Sequence, residues 1–357
     1  MLEIVRYFIG KENALLRQRV FGIYGLLAVI NVAAWIWALL LFRNQPVLLG
    51  TALLAYGFGL RHAVDADHIA AIDNVTRKLM QEGKRPVTVG FFFAMGHSAV
   101  VIAAAAGIAL TATALQGRIA DARGVGGVIS TSVSAIFLLT IAAMNLMIFL
   151  SVWKTFRSVQ KGGTYQEEDF DMLLNKRGFA SRLFRPLFRM IHQSWHMFPL
   201  GFLFGLGFDT ATEVALLGIS ATQAAQGISI WQIMVFPALF AAGMSLVDTT
   251  DGILMLGAYD WAFVKPIRKL FYNMIITLVS VVVAVLIGGI EALGLIQSKL
   301  DLKGAFWDYI AALNGNFNSL GFVIIGIFIF AWFASVLIYR YKGYEDLEIE
   351  RAKSSGD

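Results

Sequence analysis

The chain has 357 residues, of which 58% are hydrophobic and only 15% charged, with a mean hydropathy of +0.69. A soluble chain carries about 25% charged residues, so soluble enzymes and nucleic-acid binders are excluded first. The net charge of +5 then points to basic cytoplasmic loops. The absence of cysteine removes disulfide frameworks, thiolate metal sites and redox dithiols together.

Residues 1–18 carry Glu3, Arg6, Lys11, Glu12 and Arg17 and read as a retained cytoplasmic leader. A helix needs about 20 mostly apolar residues to cross the hydrocarbon core. Eight stretches meet that need: 19–42, 48–74, 87–115, 125–153, 196–220, 229–257, 270–295 and 318–340. The expected fold is an all-α polytopic membrane protein with eight transmembrane helices. Spans 1–4 fill 19–153 and spans 5–8 fill 196–340. Residues 154–195 form a cytoplasmic linker with an acidic run (Glu167, Glu168, Asp169, Asp171), and 341–357 form a cytoplasmic tail. With the N-terminus inside, 23 of the lysines and arginines fall on inner segments and five on outer ones. That asymmetry predicts N-in and C-in.

Ionisable groups at bilayer depth cost about 2.5–3.5 kcal/mol each on insertion scales, and they mark function. Span 2 holds Arg61, His62, Asp65, Asp67 and His68 within eight residues. On an unbroken helix His62, Asp65 and His68 share an arc of about 120°, while Asp67 points elsewhere. Imidazole and carboxylate without sulfur suit divalent Ni, Co, Zn or Mn better than Cu(I). Arg61 is expected to neutralise one carboxylate. The bland alternative is an ion-pair cluster that only joins helices. His97, in span 3, is a ligand or relay, or else an interhelical hydrogen-bonder. Asp209 and Glu213 stand at i and i+4 in span 5 and would repel unless a cation or proton lay between them. Asp248 and Asp251 in span 6 are a release site or partners of Arg61. His192 and His196, beside Trp195, read as an interfacial anchor. Met144, Met147 and Met190 read as apolar filling.

Arg61-His62-Ala63-Val64-Asp65-Ala66-Asp67-His68-Ile69 resembles the signature of the nickel/cobalt transporter family, whose hallmark is His-x4-Asp-His in the second span. Phe92–Ser98, Leu206–Glu213 and Ala242–Gly252 are similar to that family's motifs in spans 3, 5 and 6. Four motifs in order make the resemblance specific, and it covers essentially all eight spans. It implies secondary uptake of Ni2+ or Co2+ across a bacterial cytoplasmic membrane, without enzymatic activity, and it marks His62, Asp67 and His68 as essential.

Internal similarity adds a further expectation. Asp65–Ala70 aligns with Thr210–Ala215, Phe93–Ser98 with Phe240–Ser245, and Asn145–Ile148 with Asn273–Ile276. Spans 2–4 and 5–7 would then be an inverted repeat, with His68 facing Glu213 and His97 facing Met244 near the midplane. Gly96 and Gly243 would let helices approach closely.

No Gly-x4-Gly-Lys-Ser/Thr loop is present, so no ATP hydrolysis is expected from this chain and no ATPase subunit is required. Energy would come from the membrane potential or protons, with Asp209 and Glu213 as acceptors. The expected partners are a divalent metal ion and the lipid bilayer, with no nucleic acid and no resident cofactor. A membrane metalloenzyme and a passive cation channel are the competing classes. The first lacks His-Glu-x2-His, and a tight His/Asp cluster would slow the second.

Overall fold

The structure is a computed structural model that describes residues 14–110, 116–160, 191–206, 211–262 and 266–341. Among these residues all regular structure is helical. The helices in chain order are α1 (Ala14–Phe42), α2 (Pro46–His62), α3 (Ala66–Gln81), α4 (Val89–Leu110) and α5 (Gln116–Gln160). They continue as α6 (Met197–Phe204), α7 (Ala211–Ala225), α8 (Ile230–Ile233), α9 (Val235–Ala262), α10 (Pro266–Leu300), α11 (Ala305–Asn314) and α12 (Phe317–Tyr341).

Six helices are long and apolar enough to cross a membrane, and α2 with α3 makes a seventh if that bent pair counts as one span. Phe21, Val29 and Leu40 on α1, and Phe330 and Leu337 on α12, are exposed. A surface so apolar belongs against lipid. The chain is a multi-pass membrane protein.

Two expected spans are not continuous. The 48–74 stretch breaks after His62, and α2 and α3 meet at 52°. Asp65 begins α3 in extended geometry (φ −65°, ψ 146°), as a helix N-cap does. Short turns satisfy the backbone across the break: Val64 N–H donates to Arg61 O at 3.1 Å and Asp65 N–H to His62 O at 2.9 Å. Irregular backbone survives at membrane depth only with such partners. The arc expected for His62, Asp65 and His68 on one helix is therefore corrected: the break, and not a shared face, orients them. α3 also runs past residue 74 to Gln81. Arg77 and Lys78, counted above as loop charges, are buried on it.

The 196–220 span is likewise two short helices, α6 and α7, and neither reaches the membrane-crossing length alone. Residues 207–210 between them lie outside the described residues, and so does most of the linker. Eight unbroken spans are thus not what the helices give. Apolar composition does not reveal where the backbone leaves the helix for a turn.

Helix ends follow ordinary rules. Gly83 closes α3 at φ +74°, with Lys84 N–H donating to Leu79 O at 3.0 Å. Beyond it, Lys84 Nζ donates to His192 O at 2.7 Å, and Lys78 Nζ donates to Ile191 O. The chain entering α6 is thereby fastened to the end of α3. Glycine sets the closest crossings. A methyl at Gly96 would collide with the Phe198 carbonyl of α6, and one at Gly201 with the Phe93 carbonyl of α4. A methyl at Gly59 would strike the Phe240 carbonyl of α9, and Gly243 lies against Tyr56 and Leu60 of α2. Two apolar cores flank the centre. One joins α3, α4, α5, α6, α10 and α12 around Phe93, Leu138 and Ile287. The other joins α1, α2, α4, α7 and α9 around Phe42, Phe236 and Phe240.

Candidate metal centre

Between those cores, five helices deliver polar side chains to one point. His62 comes from the last residue of α2, His68 from the first turn of α3, His97 from α4, Glu213 from α7 and Asp248 from α9. All five are at most 3% exposed. His62, His68 and His97 each offer a nitrogen within 4.8 Å of the others. Their ring centroids are 4.7–5.0 Å apart. A divalent ion held at about 2.0–2.1 Å would place its nitrogens no more than about 4.2 Å apart. An inward shift of about half an ångström closes that gap.

The outer atoms decide which nitrogens face the centre. His62 Nδ1 lies 2.8 Å from Asp65 Oδ2, and His68 Nδ1 lies 3.3 Å from both Asp248 oxygens. The Asp248 carboxylate on His68 Nδ1 holds the proton there and leaves Nε2 with its lone pair, as behind most metal-bound histidines, while His62 Nδ1 lies by the Asp65 carboxylate and the Thr212 hydroxyl at 3.4 Å. His62 Nε2 is 3.0 Å from His97 Nε2, which is 2.9 Å from Glu213 Oε1. Glu213 Oε1 is also 3.9 Å from His62 Nε2. His68 Nε2 is buried without a hydrogen-bond partner. Phe93 stands edge-on to His68 at 4.8 Å, and Phe240 lies 5.5 Å from His62. Those rings belong to the two apolar cores and bring them directly against the histidines.

The remaining expected residues fall in different places. Asp67 is half-buried in the first turn of α3, outside the three-histidine group. Arg61 is exposed on the last turn of α2 and forms no close ion pair among the described residues, but its charge acts on Asp65. Met244 is fully buried in the apolar cluster with Ala63, Ala94 and Phe240. Asp209 lies outside the described residues. Asp251 follows Asp248 one turn along α9, and its Oδ2 is buried without a hydrogen-bond partner. His196 accepts from the His192 backbone at 3.0 Å and packs on Trp195 at 4.2 Å. His192 is held below its ordinary pKa by desolvation and then by Lys78.

The sequence reading passed over Asp73, Asn74, Thr76, Tyr259 and Ser280 and took Arg77 for a loop charge; all six are at most 2% exposed. Asp73 accepts from Tyr259 and, at 2.8 Å, from Ser280. The available signal was Asp73 and Arg77 at i and i+4, directly after the histidine motif.

The profile of a family described as high-affinity nickel-transport protein matches residues 48–338. The chain is 60% identical over 333 residues to a high-affinity nickel transport protein of Cupriavidus necator, covering 93% of this chain and 95% of that one. It is 46% identical to the nickel transporter NixA of Staphylococcus aureus, covering 85% and 89%. It is 37% identical to the cobalt transport protein NhlF of Rhodococcus rhodochrous, covering 91% and 94%. No solved structure matches. A match across nearly every helix that builds the histidine cluster makes this chain a member of the high-affinity nickel-transport protein family.

Proposed function

We propose that the protein carries Ni2+, with Co2+ as a second cargo, into the cytoplasm as a secondary transporter. The observation that carries the reading is the convergence of His62, His68 and His97 beside Glu213 in a buried centre. Three imidazole nitrogens and a carboxylate oxygen are a borderline donor set that fits either ion. Asp65 and Asp248 orient His62 and His68 from behind, while Asp67 sits at the edge and draws the cation in. Glu213 is the counter-charge. His97 Nε2 is engaged with Glu213 in the structure, so an arriving cation takes that nitrogen from the carboxylate. The proton displaced in that exchange ties cargo to protons.

The alternating-access frame is an inverted repeat of spans 2–4 and 5–7, within eight spans whose termini both face the cytoplasm. Three features support it. Spans 2 and 5, which deliver His62, His68 and Glu213, are both interrupted, as is typical at the midplane sites of transporters. Gly201 lies against the Phe93 carbonyl, and Gly59 lies against the carbonyl of the aligned Phe240. Gly96 meets α6 while its aligned Gly243 meets α2, which is the exchange a two-fold axis makes.

Uptake of Ni2+ by vesicles containing the purified protein tests the function. Saturable import, competed by Co2+ and lost in His68→Ala at equal abundance, is expected; import by that variant at the wild-type rate would refute the site. Reporter fusions at residues 160 and 355 should score as cytoplasmic, and fusions at 120 and 300 as external.

A further inference from the structure

A second polar region lies inward of the histidines, lined by α3, α5, α9 and α10. Asp248 touches His68. One turn on, Asp251 Oδ2 is buried without a hydrogen-bond partner. Asp251 interacts electrostatically with Asp248 on one side and Asp73 on the other. Asp73 is held by Tyr259 and Ser280, whose hydroxyls donate to its two oxygens. Thr76 Oγ1 is fully buried and also without a partner. It is 3.9 Å from where a side chain on Gly252 would begin, so it faces α9 at the residue after Asp251. Arg77 closes the far end. Its guanidinium donates to Thr277 at 3.0 Å and to Asn74 at 3.3 Å, and Asn145 donates to the same Asn74 oxygen at 2.6 Å.

We propose that Asp251, Asp73 and Thr76 form a second, oxygen-lined cation station on the inner side of the histidine site, stopped at its end by Arg77. The inference rests on the transport reading and on its inward direction. Along α3 the station begins five residues past His68 and ends at the ninth, a path of about 7–14 Å. Unpartnered buried oxygens are costly in a bundle that could have filled the space with apolar side chains, and here one belongs to Asp251 and the other to Thr76, which faces α9 at the next residue. The donors contain no nitrogen, so they hold Ni2+ less tightly than the imidazoles do and prefer harder ions. A weaker second station is what a carrier needs to unload a tight one. Asp248, shared between His68 and the inner carboxylates, is the handover point. Arg77 donates to neutral partners, Thr277 and Asn74, and its charge also acts on Asp73, so a cation arriving at the station competes with Arg77 for that carboxylate.

The test uses the full-length protein in the His68→Ala background, titrated with Mn2+ alone while the free ion is followed by electron paramagnetic resonance. A weak Mn2+ site is expected, and Asp73→Asn should weaken it by about tenfold. Thr76→Val, nearly isosteric, should weaken it in the same direction and carries the test if Asp73→Asn does not fold. In the otherwise native chain, the same substitutions should leave equilibrium Ni2+ binding in place while slowing import. No Mn2+ site in the His68→Ala protein, a Mn2+ site indifferent to both substitutions, or joint loss of Ni2+ and Mn2+ binding in folded variants would overturn the proposal. Failure of the wild-type protein to import Ni2+ would instead sink the transport reading, and it leaves the Mn2+ result standing.

Discussion

The histidine centre and the network further along α3 are both buried but differ in what surrounds their donors. At the centre, His62 and His68 are each backed by a carboxylate, while His68 Nε2 has no protein partner. The network is mostly paired within itself, through Tyr259, Ser280, Thr277 and the two asparagines. Unused donors fixed by used neighbours are the mark of preorganisation for a ligand. Saturated polar groups mark the joining of helices. Asp251 Oδ2, Thr76 Oγ1 and Arg77 Nε depart from that second pattern, and Asp248 belongs to both regions.

Substitutions should separate the two regions by size of effect. His68→Ala removes a donor aimed at the centre and should weaken Ni2+ binding by more than about 100-fold, beyond the range of an outer partner; calorimetry on purified protein measures it, and a smaller loss would blur the distinction. Asp248→Asn keeps a hydrogen-bond acceptor on His68 but removes the charge. Ni2+ affinity should fall by about 10- to 100-fold, and an effect below that range would reduce Asp248 to a member of the inner network. Gly96→Val forces α4 from the Phe198 carbonyl and should cost about 1–3 kcal/mol or more, as overpacking does. A drop in thermal midpoint in detergent, with weakened Ni2+ binding, reports it. Asn145→Leu deletes one donor from the paired network and should cost about 1 kcal/mol, visible in the same thermal assay.

Much of this was legible in the sequence because ionisable residues in apolar stretches are conspicuous. His62, His68, His97, Glu213 and Asp248 all stood out by position alone. Their arrangement did not. A helical projection assumes an unbroken helix, and the chain leaves the helix at residues 63–65, which placed Asp65 against His62. Arg77 was read as a loop charge because α3 becomes polar in its last two turns. Hydropathy cannot distinguish a helix leaving the membrane from one whose polar side chains are met by Thr277 and Asn74 on neighbouring helices. Asp73 was hidden for the same reason: its partners Tyr259 and Ser280 are about 200 residues distant in the chain and announce nothing by themselves.

The two lysine contacts beyond α3 have a mechanical consequence. Lys78 and Lys84 grip successive carbonyls, Ile191 and His192, so the chain is pinned where it enters the second half of the molecule. Those two contacts form a strut between the end of α3 and the chain leading into α6. Tilting the inner end of α3 pulls directly on the start of α6, on the opposite arm of the lever. The linker is free to vary in length: closing a loop of twice the size costs only about 0.6 kcal/mol more, and its exit point would not move.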